Sequence, residues 1–240
     1  MITFSNLGKM GRLGNQRFQL STCIGLAEKN NDEYIFPKWE YEKYFNLHGC
    51  FSNDIKITKS YKEPYYHYKE IKESSNDNIL DLVGYWQSYR YFENCQGLIQ
   101  GIFTPKIGFP IKYDFTSVHV RRGDYTNLTK EYEQLNLEYY NKAMKEVNSK
   151  YYIIISDDID YCKTIFKGSN IYFSEYKTVI EDFALMISCE HNIIANSTFS
   201  WWGAYLNKNP FKIVVAPNKW FGKALNHSTK DLMQDSWIKI

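Results

Sequence analysis

The chain has 240 residues, of which 44% are hydrophobic, and this is enough to build the core of one large domain or of two small ones. Its 29 lysines and arginines nearly balance 27 aspartates and glutamates, so the formal net charge of +2 gives no electrostatic basis for binding nucleic acid or an anionic membrane. Any anion site must therefore be local.

The five cysteines are dispersed and show no Cys-x-x-Cys spacing. An odd and scattered set argues against a disulfide framework or a zinc site and is typical of a reducing compartment. The first residues show no secretion signal, and no apolar run approaches the roughly 20 residues that a transmembrane helix needs. We therefore expect a cytoplasmic protein with no transmembrane segment, and the sequence remains compatible with peripheral membrane contact.

The first half of the chain predicts few elements. A strand at 2–5 leads through three glycines into a helix at 15–29, the pattern of a glycine-rich turn at a helix start. Residues 34–36 are a candidate strand. The segment 59–73, rich in lysine, glutamate and tyrosine, predicts a solvated face or loop, whereas 84–92 is both aromatic and polar.

The second half alternates apolar, β-rich segments with amphipathic ones, which predicts βαβ units and a parallel sheet flanked by helices, an α/β fold. The predicted strands are 117–121, 151–155, 170–173, 192–195 and 212–215, and the predicted helices are 137–150, 159–166, 179–190 and 200–207. Because Pro105, Gly108 and Pro110 interrupt any periodic pattern, we predict two domains, 1–110 and 111–240.

Polar side chains follow three of the predicted strands. Arg121 and Arg122 lie at the end of one strand, two aspartates at 157–158 follow the next, and two hydroxyls at 197–198 follow a third. Ligands of parallel sheets bind beyond the carboxyl ends of the strands. The arginine fork suits phosphate oxygens, and a helix N-terminus supplies N–H donors and a positive dipole end. The sequence therefore predicts a site for a charged nucleotide.

Several motifs, in the order in which that family has them, resemble those of the family 11 α-1,2-fucosyltransferases. They are Gly11-Arg12-Leu13-Gly14-Asn15-Gln16, Gly84-Tyr85-Trp86-Gln87-Ser88, His119-Val120-Arg121-Arg122-Gly123-Asp124-Tyr125, Ser156-Asp157-Asp158 and Ala195-Asn196-Ser197-Thr198-Phe199-Ser200-Trp201-Trp202-Gly203. The resemblance implies two Rossmann-like halves facing a cleft, the GT-B type. It also implies a GDP-fucose donor bound mainly by the second half, a glycan acceptor, no metal or other cofactor, and transfer with inversion to a galactose hydroxyl.

One motif departs from the family pattern, which more often has a second glycine where Arg12 stands. An arginine at that place is similar to the protein O-fucosyltransferases, and a wider similarity extends to the core fucosyltransferases. This departure affects the expected identity of the acceptor more than that of the donor.

The leaving diphosphate gains negative charge in the transition state, and without a metal that charge needs fixed cations and N–H donors. Arg121 is the main candidate for this role. The resemblance places Arg121 at the phosphates and His119 on the nucleotide. Arg122 either assists or pairs locally, because adjacent residues of a strand point to opposite faces.

The other proposed donor contacts come from two strand ends. The motif at Asn196 would offer Ser197, Thr198 and the Phe199 N–H to the diphosphate or fucose, and a helix N-cap is the alternative role. The carboxylates of Asp157 and Asp158 suit the N–H edge of guanine. Two alternatives stay open for Asp158, since it could cap the following helix, or it could form with Asp160 a metal-binding Asp-x-Asp pair.

By resemblance, Arg12 and Asn15 would face the fucose and the acceptor, with helix capping as the alternative. Tyr85, Trp86 and Gln87 are acceptor-side candidates.

Inversion calls for a group that takes the acceptor proton. Asp124, Glu131 and Glu133 lie in or after the arginine motif. Asp124 has pairing with an arginine as its alternative role, and the resemblance to core fucosyltransferases favours Glu131. The similarity to the protein O-fucosyltransferases implies that a carboxylate base is not obligatory.

The leading hypothesis is an inverting, metal-independent α-1,2-fucosyltransferase. Two alternatives remain, a non-catalytic nucleotide- or carbohydrate-binding protein on the same fold, and a transferase that uses another nucleotide sugar such as GDP-mannose.

Overall fold

The computed structural model describes residues 1–75, 78–108 and 114–240. It divides into two compact units, Met1–Lys106 with Ser228–Gln234, and Ile107–His227 with Asp235–Ile240. The domain boundary that we predict at 110/111 lies outside the described residues. Residues 228–234 lie in the first unit, although they interrupt the second unit in sequence.

The first unit contains a three-stranded parallel sheet in the order β1-β3-β2. Its strands are β1 (Ile2–Thr3), β2 (Lys59–Lys62) and β3 (Leu80–Val83), and its helices are α1 (Leu13–Asn30) and α2 (Gln96–Phe103). Short 3₁₀ helices lie at Glu42–Tyr44, Tyr89–Tyr91 and Glu93–Cys95. The candidate strand at 34–36 forms only isolated bridges, from Tyr34 to Ile2 and from Phe36 to Phe51.

The segment 59–73, for which the sequence predicts a solvated face or a loop, begins with the strand β2, which pairs with β3. Lys59, Ser60 and Lys62 are exposed, so the segment carries no apolar alternation that would predict a strand. Its pairing comes from backbone hydrogen bonds at the edge of the sheet, where polar side chains and lysines are common. Composition alone therefore conceals this strand.

Helix α1 is buried on nearly all sides, including its polar residues. Gln16, Arg17, Gln19, Ser21 and Thr22 are all buried. The Arg17 guanidinium lies 4.6 Å from the centroid of the Phe45 ring, and burial lowers the pKa of Arg17 well below its ordinary value. The helix ends at Asn31, whose left-handed backbone turns its N–H back onto carbonyls of the last turn.

The second unit contains a six-stranded parallel sheet in the order β6-β5-β4-β7-β8-β9. The strands are β4 (Phe115–Val120), β5 (Tyr151–Ser156), β6 (Ile171–Phe173), β7 (His191–Ile193), β8 (Val214–Ala216) and β9 (Ile238–Lys239). The helices are α3 (Leu137–Val147), α4 (Ile159–Ile165), α5 (Val179–Ser188) and α6 (Thr198–Leu206). The α/β class and the helix-flanked parallel sheet predicted from sequence are confirmed.

The strand order reverses between β4 and β7. From β4 the chain adds β5 and β6 on one side, then returns to place β7 on the other side of β4. This is the strand order of the doubly wound dinucleotide-binding fold, in which the reversal opens a crevice at the carboxyl ends of the strands.

Helices cover both faces of the sheet in the second unit. Side chains alternate between the two faces along each strand, so each face contributes to a separate core. Val118 and Val120 pack in a core with Tyr140 of α3 and Cys162 of α4. The opposite face packs Ile155 of β5 against Leu185 and Met186 of α5. Two buried faces explain why β5 and β8 read as nearly continuous apolar runs.

The boundaries of two helices are fixed by side-chain caps. Thr178 and Glu181 form a capping box at the start of α5, and Asn136 accepts a hydrogen bond from the Tyr139 N–H at the start of α3. Within the described residues, no helix is long and apolar enough to span a bilayer.

A glycine in α1 tests the packing of the first unit. A Cβ on Gly25 would overlap the Tyr91 carbonyl oxygen and lie 2.9 Å from the Phe92 Cα, and neither backbone atom can swing away. We expect Gly25→Ala to lower the free energy of unfolding by about 1–3 kcal/mol, measured by urea denaturation. Gly101→Ala in α2 is the matched control, because no atom lies within 4 Å of its Cβ. It should stabilise the protein by roughly 0.5–1 kcal/mol, and equal effects of the two substitutions would contradict the packing argument.

Candidate functional site

The reversal of strand order brings the two polar motifs of the second unit together. Residues 121–125 follow β4, residues 194–199 follow β7, and β4 and β7 are neighbours. The His119 and Phe199 rings lie 5.5 Å apart between centroids, and the Tyr125 hydroxyl donates to the Asn196 carbonyl at 3.3 Å. The crevice of the doubly wound fold is therefore lined by both motifs.

Arg121 is fixed by two carboxylates and an aromatic ring. Its guanidinium forms ion pairs with Asp157 and Asp124, and it lies 5.0 Å from the centroid of the Tyr125 ring. Only 13% of its side chain is exposed. The cation is thus oriented by the protein itself, as electrostatic preorganisation requires.

Arg122 pairs with the other aspartate. Its Nε donates to Oδ2 of Asp158 at 3.0 Å, and its guanidinium lies 3.4 Å from the centroid of the Tyr161 ring. Asp158 also caps α4, since it accepts the Tyr161 N–H at 3.2 Å. The local pairing and capping roles that the sequence left open are therefore both present.

Asp157 organises the turn after β4. One oxygen faces Arg121 and the other accepts the backbone N–H of Arg122 at 2.9 Å. Gly123 is required here, because its φ is +27° and a Cβ would lie 2.5 Å from Oδ2 of Asp157. Glycine thus allows the carboxylate and the turn to approach each other.

The Asp-x-Asp alternative places its two carboxylates in different surroundings. Asp158 is engaged by Arg122, whereas the side chain of Asp160 is 94% exposed beside Lys163. Across residues 1–75, 78–108 and 114–240, no three histidine, cysteine, aspartate or glutamate side chains are grouped in a way that could hold a metal ion.

His119 is buried and neutral. Burial, with a smaller effect of the Arg121 charge, lowers the pKa of His119 to about 3. Its Nδ1 is buried and has no hydrogen-bond partner among the described residues. A buried polar atom without a partner is costly, so a ligand that supplies one would gain affinity.

The start of α6 offers donors at the same crevice. Ser197 occupies the N-cap position in an extended conformation, and its hydroxyl makes no capping hydrogen bond. The first N–H groups of a helix have no partner within the helix. Residues 197–199 therefore present hydroxyl and N–H groups at the positive end of the helix dipole.

Asn196 acts as a structural tie. Its amide nitrogen donates to the Glu133 carbonyl at 2.9 Å and to the Trp220 carbonyl at 2.8 Å. Both N–H groups of the side chain are thereby used. The predicted contact of this residue with a donor would therefore have to come from its other atoms.

The candidate bases differ in their surroundings. Asp124 is paired with Arg121. Glu131 lies half-buried in a segment whose backbone is tied down, because its carbonyl accepts the Gly222 N–H at 2.8 Å and the neighbouring Lys130 carbonyl accepts the Ala224 N–H at 2.8 Å. A Cβ on Gly222 would lie 2.8 Å from the Lys130 carbonyl carbon, so the two segments are in close contact.

The first unit holds the remaining candidates. Arg12 is exposed at the N-cap position of α1, and its side chain makes no capping hydrogen bond. Asn15 accepts a hydrogen bond from Nε2 of Gln87 at 2.8 Å, and Gln87 in turn accepts one from the Tyr66 hydroxyl. Gly11 has φ +75°, and a Cβ at this position would lie 2.5 Å from the Cβ of Asn15. The glycine-rich turn and the 84–88 motif thus meet through two amides.

Sequence reasoning missed two residues. Tyr125 lies inside the arginine motif, but the sequence assigns no role to it. In the structure its ring packs on Arg121. Glu63 lies in the segment predicted as solvated, yet its carboxylate accepts two backbone N–H groups. Nothing in a lysine- and glutamate-rich run distinguishes a carboxylate that binds backbone N–H groups from one that faces only solvent.

Comparisons with known proteins agree with these motifs. The family model described as Glycosyl transferase family 11 matches residues 26–240. The O-antigen biosynthesis glycosyltransferase WbnK of Escherichia coli is 43% identical over 93% of this chain and 72% of that protein. An alpha-1,2-colitosyltransferase of Escherichia coli is 28% identical over 96% of both chains. A galactoside 2-alpha-L-fucosyltransferase, SEC1 of Bos taurus, is 24% identical over 82% of this chain and 62% of that protein.

The buried imidazole of His119 predicts acid sensitivity. Its folded pKa is about 3 against an ordinary 6.5, so between these values the unfolded chain binds a proton that the folded chain does not. Stability from this group is present above the ordinary pKa and is lost as the pH falls. We expect urea denaturation to show a loss of up to about 1.4 kcal/mol per pH unit in this window, which His119→Gln lacks. Parallel slopes for the two proteins would contradict a buried neutral histidine.

Proposed function

The chain belongs to glycosyl transferase family 11, and we propose that it transfers L-fucose from GDP-fucose to a galactose hydroxyl of a glycan, with inversion and without a metal ion, to form an α-1,2 linkage. The observation that carries the proposal is the fixed Arg121 beside the start of α6, at the reversal of strand order. The name of the galactoside 2-alpha-L-fucosyltransferase relative supports the choice of sugar and linkage.

The transfer needs charge stabilisation on the leaving group. The acceptor oxygen attacks C1 of fucose, the bond from C1 to the β-phosphate oxygen breaks, and GDP leaves with the electron pair. Arg121 and the donors at 197–199 would stabilise the charge that develops on the diphosphate, in place of a metal ion. The arginine fork suits two phosphate oxygens at once.

The nucleoside would lie beside His119 and the aspartates. A ligand atom that pairs with His119 Nδ1 would satisfy a buried group that the described protein leaves without a partner. Asp157 and Asp158 already hold Arg121 and Arg122. A carboxylate has about four acceptor sites, so each can orient an arginine and also accept an N–H from guanine.

The acceptor proton would pass to Glu131. Asp124 is engaged by Arg121, and its role in the proposal is therefore to orient that arginine. Arg12 and Asn15 of the first unit would contact the fucose and the acceptor.

One observation favours a second donor. The alpha-1,2-colitosyltransferase relative matches 96% of this chain, so nucleotide-activated colitose is the second candidate substrate. Transfer rates measured with nucleotide-activated fucose, colitose and mannose, each with the same acceptor, rank the three donors directly.

Transfer itself is the first test. Pure protein with GDP-fucose and lactose should give a fucosylated product, with a rate that stays within about twofold in excess EDTA, because arginines supply the charge that a metal would supply. Maltose, which lacks galactose, is the control acceptor. Loss of activity on chelation would refute metal independence, and GDP binding without transfer from any donor would favour the non-catalytic alternative.

The second test concerns the arginine fork. Arg121→Lys keeps a positive charge beside Asp157 and Asp124 but loses bidentate donation, so we expect kcat/KM to fall about 100-fold or more. The free energy of unfolding should change by less than about 1 kcal/mol. Arg90→Lys is the matched control, since Arg90 lies on the first unit with its side chain 43% exposed. Equal turnover in the two variants would refute the role of Arg121.

A further inference from the structure

Glu63 is a half-buried carboxylate of the first unit that the proposed chemistry does not use. It follows β2, and its backbone N–H donates to the Val83 carbonyl at 2.8 Å. Its Oε2 accepts the Tyr85 N–H at 2.7 Å, and its Oε1 accepts the Trp86 N–H at 2.9 Å. Each oxygen thus holds one of two consecutive peptide groups.

The held segment has a backbone that needs support. Trp86 is one of three described residues other than glycine, with Asn31 and Asn148, that have a left-handed backbone, and its φ is +57°. Such a conformation costs energy in a bulky residue and persists where its surroundings fix it. A Cβ on Gly84 would lie 2.6 Å from Oε2 of Glu63, so the glycine admits the carboxylate. We call residues 84–88 the acceptor-side turn.

The acceptor-side turn carries two groups toward the candidate site of the first unit. Gln87 donates to Asn15 at 2.8 Å and is itself held by the Tyr66 hydroxyl. Tyr85 has 41% of its surface exposed, whereas Trp86 is fully buried against Tyr61. The turn therefore buries one aromatic ring and presents its neighbour to solvent.

We propose that Glu63 is a positioning residue for the acceptor, because its ionised carboxylate fixes the acceptor-side turn so that Gln87 orients Asn15 and Tyr85 is presented to the glycan. This inference rests on the proposed function. Glu63 acts through the turn and contacts neither sugar nor nucleotide.

The charge of Glu63 titrates near neutrality. Burial raises its pKa to about 7, against the opposing effect of the Trp86 and Tyr85 N–H groups. Three phenols contact the turn, since the Tyr61 and Tyr91 rings pack on Trp86 and the Tyr66 hydroxyl donates to Gln87. Tyr68 packs in turn on Tyr91. Once protonated, one carboxyl oxygen carries a hydrogen and accepts poorly from the N–H that faces it.

Amide hydrogen exchange of Tyr85 and Trp86 tests the hold on the turn without any activity measurement. Glu63→Gln keeps the shape but has one acceptor oxygen at every pH. At about pH 8 we expect wild-type protection of these amides to exceed that of the variant about tenfold, and at about pH 6 the two proteins should be similar. Equal protection at both pH values overturns the proposal.

Acceptor kinetics test the consequence for function. The ratio of variant to wild-type acceptor KM should rise from about 1 near pH 6 to about 10 near pH 8, while the ratio for the donor KM stays near 1. A purely structural loss would change both ratios, and without dependence on pH. Glu70→Gln is the matched control, because Glu70 is an exposed carboxylate that pairs with Lys29 in the same unit.

The two failures are distinguishable. If wild type and Glu63→Gln differ in amide exchange as expected but no donor is transferred, the proposed function is wrong and the hold of Glu63 on the turn stands. If transfer occurs and the acceptor KM ratio is flat with pH, the positioning role is overturned. If the variant does not fold, amide exchange of the wild-type protein between about pH 6 and pH 8 tests the same point, because protection of Tyr85 and Trp86 should rise with ionisation of Glu63.

Discussion

The pairing of Arg121 with Asp157 and Asp124 is the interaction on which the second unit's site depends. A guanidinium at the end of a buried strand would otherwise swing through many rotamers, and ordering it on ligand binding would cost conformational entropy. Two carboxylates and the Tyr125 ring impose that order beforehand. Gly123 is the backbone condition for the arrangement, because any side chain there would collide with Asp157.

Topology explains why these partners meet. Asp157 follows β5 and Arg121 follows β4, and the two strands are in register so that Val120 lies opposite Ser156. The start of α6 approaches from the other side of β4 because β7 is its second neighbour. One central strand therefore collects a carboxylate from one side and helix donors from the other.

The elements that could be predicted from sequence are those that bury both faces. Five strands of the second unit are predicted because their segments are apolar and β-rich, but β9 is not among them. The segment that forms β2 contains two lysines and a serine, and it is predicted as a solvated face or loop. The grouping of Arg121 with Ser197 and Thr198 follows from alternation of strands and helices. The choice of partners does not, since which aspartate meets which arginine depends on register and on turn geometry. Glu63 shows the limit most clearly, because its hydrogen bonds to two backbone N–H groups depend on the pairing of an edge strand that composition hides.

The hold of Glu63 on the turn has a consequence for how acceptor choice could evolve. The carboxylate grips main-chain N–H groups, so the grip is indifferent to the side chain at position 85, proline excepted. That side chain is largely open to solvent. Mutation can therefore sample new surfaces at position 85 while the shape of the turn and the amide contact to Asn15 are inherited unchanged. Under the proposed function, such a separation between scaffold and variable surface would let the contact with the acceptor change at little cost in stability.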